Sequence, residues 1–114
     1  MKRPVFFAAL CCLMACPLAF AAMPFDANTS GQLYYALQNP SDPYHLAYMG
    51  YVGGAADALQ AVSYVCRPPR TSYGAEDQLV ENYLAANPAK WNQPASVSIG
   101  TALIKAFPCP SKRQ

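Results

Sequence analysis

Chemistry-bearing side chains are scarce in this sequence. One histidine, His45, occurs among 114 residues, and charged side chains make up only 12% of them. A serine or cysteine hydrolase needs a base to activate its nucleophile, and there is no second histidine to offer one. A zinc site usually takes three or four ligands, yet there is no C-x-x-C pair and only one imidazole. The glycines from Gly50 to Gly54 sit inside a helix-like pattern with no strand pattern before them, which argues against a phosphate-binding loop. No apolar–polar alternation is long enough for a strand, and there is no internal repeat and no low-complexity tract. The sequence therefore predicts neither an enzyme nor a cofactor-dependent protein.

What is present begins with a leader. Lys2 and Arg3 precede an uncharged apolar run over residues 5–15, and Ala19-Phe20-Ala21 places small residues at the −3 and −1 positions of a signal peptidase site. The expected division is a signal peptide over residues 1–21 and a mature domain over residues 22–114. A membrane span needs about 20 unbroken apolar residues, and Pro17 with the small-residue tail argues against one. Leu13-Met14-Ala15-Cys16 loosely resembles a lipobox, so lipidation at Cys16 is the one route by which the mature chain would be held at a membrane.

Loss of the leader removes Cys11, Cys12 and Cys16 and leaves Cys66 and Cys109. It also removes Lys2 and Arg3, leaving six basic residues against six acidic. The near-neutral domain has no basic patch to suggest nucleic acid and no acidic tail to suggest a cationic ligand. Two cysteines in an oxidising compartment most simply pair with each other.

Prolines divide the mature chain into four helix-like segments. The first covers residues 30–38, with Thr29 or Ser30 as its cap and Leu33, Tyr34 and Leu37 on one face. The second covers residues 43–65, with Asp42 as N-cap and Pro43 at the first helical position. In it Leu46, Met49, Val52, Ala56, Leu59 and Val62 keep helical spacing. Gly50, Gly54 and Ala58 form a smooth stripe, expected to let another helix approach closely, within the bundle or across a dimer. The third covers residues 73–86, capped by Ser72, with Glu76 and Asp77 placed to complement the helix dipole. The fourth covers residues 94–107, where Ala95, Ile99, Ala102, Leu103, Ala106 and Phe107 recur at the helical period. The expected fold is all-α, a compact bundle of about four helices with one disulfide.

Three features invite a functional reading. Asp57 interrupts the apolar second segment, either as a carboxylate held by a tyrosine, an arginine or helix amides, or as an acid–base group. Eight tyrosines and Trp91 exceed what a small helical core needs, and such residues anchor protein interfaces. Two connections offer side chains to a partner: residues 67–73, with Arg67, Arg70 and Tyr73, and residues 87–93, with Lys90, Trp91 and Asn92. Trp91, between two prolines, either anchors a partner or folds back to cap the end of the bundle.

Several blocks together carry a resemblance: Gly50-Tyr51-Val52-Gly53-Gly54-Ala55-Ala56-Asp57-Ala58, Cys66-Arg67-Pro68-Pro69, Tyr83-Leu84 with Asn87-Pro88, Pro94-Ala95, and Ala102-Leu103 with Ala106-Phe107-Pro108-Cys109. In order and spacing the sequence resembles the type VI amidase immunity (Tai) family, also called the resistance-associated immunity proteins. The resemblance implies an all-helical periplasmic protein that binds and occludes a peptidoglycan amidase delivered by type VI secretion, often as a homodimer. It also implies that the connection carrying Trp91 approaches the toxin's groove. Two departures stand out. Many relatives carry a further cysteine pair, where this chain has Tyr48 and no cysteine in the first segment. Relatives also often open the third helix with a threonine followed three residues later by glutamine, and here Ser72 is followed by Ala75, so the reciprocal half of a capping box is missing. The competing reading is a small periplasmic chaperone or stress protein, but acid-activated chaperones depend on many titrating charges and few are present.

Overall fold

The computed structural model describes residues 29–111. The leader over residues 1–21, with Cys16, lies outside the described residues. Helix α1, Ser30–Gln38, starts where the Thr29 hydroxyl accepts from the Gln32 amide at 3.3 Å, and it buries Leu33, Ala36 and Leu37. Helix α3, Tyr73–Ala86, is capped as expected, the Ser72 hydroxyl accepting from the Ala75 amide at 3.1 Å. Helix α4, Ala95–Ala106, follows Pro94, whose lack of an N–H costs nothing there. A short 3-10 helix, Pro88–Lys90, lies between α3 and α4. The described residues contain no strand.

Helix α2, His45–Ala61, is shorter than expected at both ends. Asp42 caps a preceding turn rather than the helix: its carboxylate accepts from the Tyr44 amide at 2.8 Å and its carbonyl from His45 at 3.0 Å. At the other end Ser63 takes a left-handed φ of 62°, and the Tyr64 amide reaches back to the Leu59 carbonyl at 2.9 Å. That closes the helix in the manner of a Schellman turn. The chain then runs on extended through Val65, which is fully buried, to Cys66, whose amide donates to Phe107 at 2.9 Å.

Each of the four helices touches the other three, and the core between them is built on Leu33, Val52, Val65, Val80, Leu84, Ile99 and Leu103, all fully buried. One polar device sits among them. Ser30 donates its amide to Gln93 at 2.8 Å, and its hydroxyl lies 2.7 Å from that of Ser98. A buried hydroxyl needs such a partner, and this one pins the start of α1 to the start of α4. The Cys66–Cys109 disulfide joins the segment after α2 to the segment after α4.

Two expectations about α2 are corrected. Leu46 and Val62 are not core residues but are 79% and 62% exposed. Among the described residues the stripe of Gly50, Gly54 and Ala58 meets no other helix of the bundle: a Cβ at Gly50 or Gly54 would find nothing within 4 Å, and Ala58 is exposed. The close approach falls at Gly53, where a Cβ would lie 2.8 Å from the Tyr73 ring. Small residues spaced four apart mark a smooth face, but the larger side chains Tyr48 and Val52 decide which face turns inward. Ala106, also assigned inward from the sequence, is exposed.

Candidate partner-binding surface

The two connections singled out in the sequence do not form one surface. They lie at opposite ends of α3, and a helix of 14 residues spans about 21 Å at 1.5 Å per residue.

At the first end, Arg67 organises a polar cluster. Its guanidinium donates to the Gln60 side chain at 2.6 Å, to Asp57 at 2.7 Å and to Glu76. Glu76 is fully buried and Arg67 is 14% exposed, so this cation is held by the fold rather than presented to solvent. Asp57 is the outward member, its side chain half-exposed. The Tyr73 hydroxyl donates to its other oxygen at 3.1 Å. Asp57 is thus held by an arginine and a tyrosine at the surface. Arg67, and then the Tyr73 hydroxyl, push its carboxyl below the usual range, so it stays ionised. The same bond raises the Tyr73 phenol, because its proton is committed to the carboxylate. Chemically this is a fixed anionic acceptor, and a phenol so engaged is a poor nucleophile. Arg70 is exposed with a φ of 67°.

Beside the cluster lies an open groove of about 420 Å³ lined by Met49, Gly50, Gly53, Gly54, Asp57 and Tyr73. Sequence reasoning offered a tyrosine or an arginine as a holder of Asp57 and set Arg67 and Tyr73 in one connection, but it did not join the two, and it did not bring Glu76 or Gln60 to the cluster. The available signal was Glu76 itself, a carboxylate one turn from Ser72 and nine residues from an arginine.

Asp77, next to Glu76, is 7% exposed, and neither carboxylate oxygen has a hydrogen-bond partner. Burial pushes its carboxyl up to about 6; Glu76 and Glu81 act in the same direction and His45 opposes them. A folded-state value above the unfolded one favours the protonated form. The stabilising contribution is therefore full below the unfolded value of 3.8 and is lost as pH rises through about 6. Asp77→Asn should remove this dependence. Relative to the native chain, the variant should gain on the order of 1–2 kcal/mol between about pH 4 and about pH 7 in urea unfolding. Parallel pH profiles for the two proteins would contradict the assignment.

At the far end of α3, Trp91 folds back. Its ring nitrogen donates to the Leu84 carbonyl at 2.8 Å, and its ring lies 5.0 Å from that of Tyr34. Its carbonyl accepts from the Gly31 amide at 2.9 Å, and its Cβ would lie 3.4 Å from a Cβ placed at Gly31. The indole is nevertheless 38% exposed, and Lys90 and Asn92 beside it are exposed too. Trp91→Ala should cost about 2 kcal/mol in thermal or urea unfolding, below the range for a fully buried tryptophan because part of the ring is already wet. An unchanged melting temperature would show that the indole does not hold α1 to the end of α3.

Among the described residues no helix is long and apolar enough to cross a membrane, and no group of three or more histidine, cysteine or acidic residues could hold a metal ion. In comparison with known proteins, the family model of the Rap1a immunity proteins matches residues 29–109. No curated protein and no solved structure matches the chain.

Proposed function

Since the chain belongs to the Rap1a immunity protein family, we propose that it is exported to the periplasm, where it binds a peptidoglycan amidase delivered by type VI secretion and occludes its active site. The match over residues 29–109 carries this reading, because it takes in all four helices and both cysteines of the disulfide. The leader-like residues 1–21 support export, and a disulfide is at home in an oxidising compartment. Among the described residues each of the four helices touches the other three, and a covalent bridge ties two of the connecting segments. Such a pre-formed bundle suits inhibition by occlusion, since less ordering is required on binding.

The decisive experiment is deletion of the gene in its strain of origin. The deletant should lyse or be outcompeted in contact with its parent. That loss should require an active secretion system and the catalytic cysteine of a sibling amidase. A full-length copy should restore growth, whereas a copy beginning at residue 22 without a leader should not. A deletant that competes as well as its parent would overturn the immunity reading. Rescue by the leaderless copy would overturn the periplasmic location, and lysis independent of the amidase would overturn the target.

A further inference from the structure

Unlike Gly53, which the Tyr73 ring covers, Gly50 and Gly54 of α2 have no packing reason among the described residues to be glycines. Glycine is poorer than alanine inside a helix, yet at Gly50 and Gly54 a Cβ would have open space around it. What the two glycines leave clear is the floor of the groove beside Asp57. The Met49 side chain and the Tyr73 ring line it, and the Asp57 carboxylate stands at its rim.

We propose that this groove receives a basic side chain, arginine or lysine, presented by the toxin. The proposal rests on the immunity reading above and specifies a docking site for that partner. Three observations select this chemistry. First, the ion pair beside the groove is that of Asp57 and Arg67. The positive one is held in an almost buried position, while the outward carboxylate is half-exposed. The rim therefore presents anion to an incoming group. Second, each Asp57 oxygen accepts one bond within the cluster, and a carboxylate oxygen can accept two. An ammonium or guanidinium can bond to it without displacing Arg67 or Tyr73. An acidic group would be repelled, and a wholly apolar one would strip water from the charge without replacing it. Third, the glycines leave the groove open and smooth beside the charge. The methylene stem of lysine or arginine can lie over the glycines and against the Tyr73 ring, with only its head at Asp57. A space of about 420 Å³ admits one such side chain with the backbone that carries it.

The test has two arms. In the first, the mature chain is titrated with N-acetyl-arginine amide and followed through its backbone amide NMR signals. Saturable shifts should centre on Gly50, Gly54 and Asp57. They should weaken about threefold in Asp57→Asn, the scale of one exposed ion pair, and be absent with N-acetyl-glutamate amide. No saturable shift, or equal response to the two amides, overturns the groove's chemistry whether or not any toxin is neutralised. In the second arm, Gly54→Leu fills the groove, and binding is measured to the amidase identified by the deletion experiment. Affinity should fall by roughly thirtyfold or more, the scale of an interface hot spot, with no loss of melting temperature. Native-like affinity for the filled groove overturns its role in docking the toxin. Self-association that is abolished by Gly54→Leu while toxin binding persists assigns the groove to a second copy of the chain and overturns the proposal as well. If no toxin is neutralised, the immunity reading falls and with it the toxin as occupant. The first arm then judges the groove's preference for basic groups by itself.

Discussion

Arg67→Ala is expected to destabilise the domain by about 2–4 kcal/mol in urea unfolding. The reason is what it leaves behind. Glu76 is fully buried, one of its oxygens has no hydrogen-bond partner, and Arg67 neutralises the other. Removing one partner of a buried pair strands a charge in apolar surroundings, which typically costs about 3–5 kcal/mol. The lower range applies here because the guanidinium is itself 14% exposed, so some water can follow into the vacated space. One control separates this explanation from simple loss of packing. Arg67→Met combined with Glu76→Leu should recover most of the loss, since replacing both members of a buried pair by apolar groups is often neutral. A loss below about 1 kcal/mol, the value of an exposed pair, would show that Glu76 has other support.

The same two residues show where the sequence is legible and where it is not. Helix boundaries marked by local chemistry were readable: Ser72 caps α3 and Thr29 caps α1, because capping is decided within three residues. Long-range assignments were harder. Glu76 and Asp77 look like first-turn acids set against the helix dipole, and their composition gives no hint that both are buried. Their burial follows from where α3 lies against the other helices, which one segment's sequence does not contain. Arg67 is similar. As a cation in a connection it shares with Arg70 it suggests a partner contact, and the fold brings it between Asp57 on α2 and Glu76 on α3. The within-bundle half of the glycine-stripe expectation failed for a related reason. It identified a smooth face correctly, but direction is set by competition with larger apolar residues on the same helix. Leu46 and Val62 lost that competition, although they keep the helical period.

Removal of the disulfide, best made as Cys66→Ala with Cys109→Ala to leave no orphan thiol, should cost about 4 kcal/mol. The bridge closes a loop with a sequence separation of 43 residues, and the chain-entropy relation gives about 4 kcal/mol for a loop of that size. Native disulfides in small secreted domains span about 2–5 kcal/mol when removed. The expectation sits in the upper half because the loop contains α3 and α4 whole, so the reduced unfolded chain gains much freedom. For a domain of this size that is a large share of a total stability of about 5–15 kcal/mol. The loss should also be local in one respect. Cys66 lies beside Arg67, and the Cys66 amide donates to Phe107 at 2.9 Å, so the bridge holds in place the strand of chain that delivers the guanidinium to Glu76. Coupling follows between the two sites. A double-mutant cycle combining the alanine pair with Arg67→Ala should show a non-additive term of about 0.5 kcal/mol or more, as for residues sharing one backbone segment. Strict additivity would mean that Val65, Phe107 and the core fix that segment without the bridge. The disulfide would then act only on the unfolded chain.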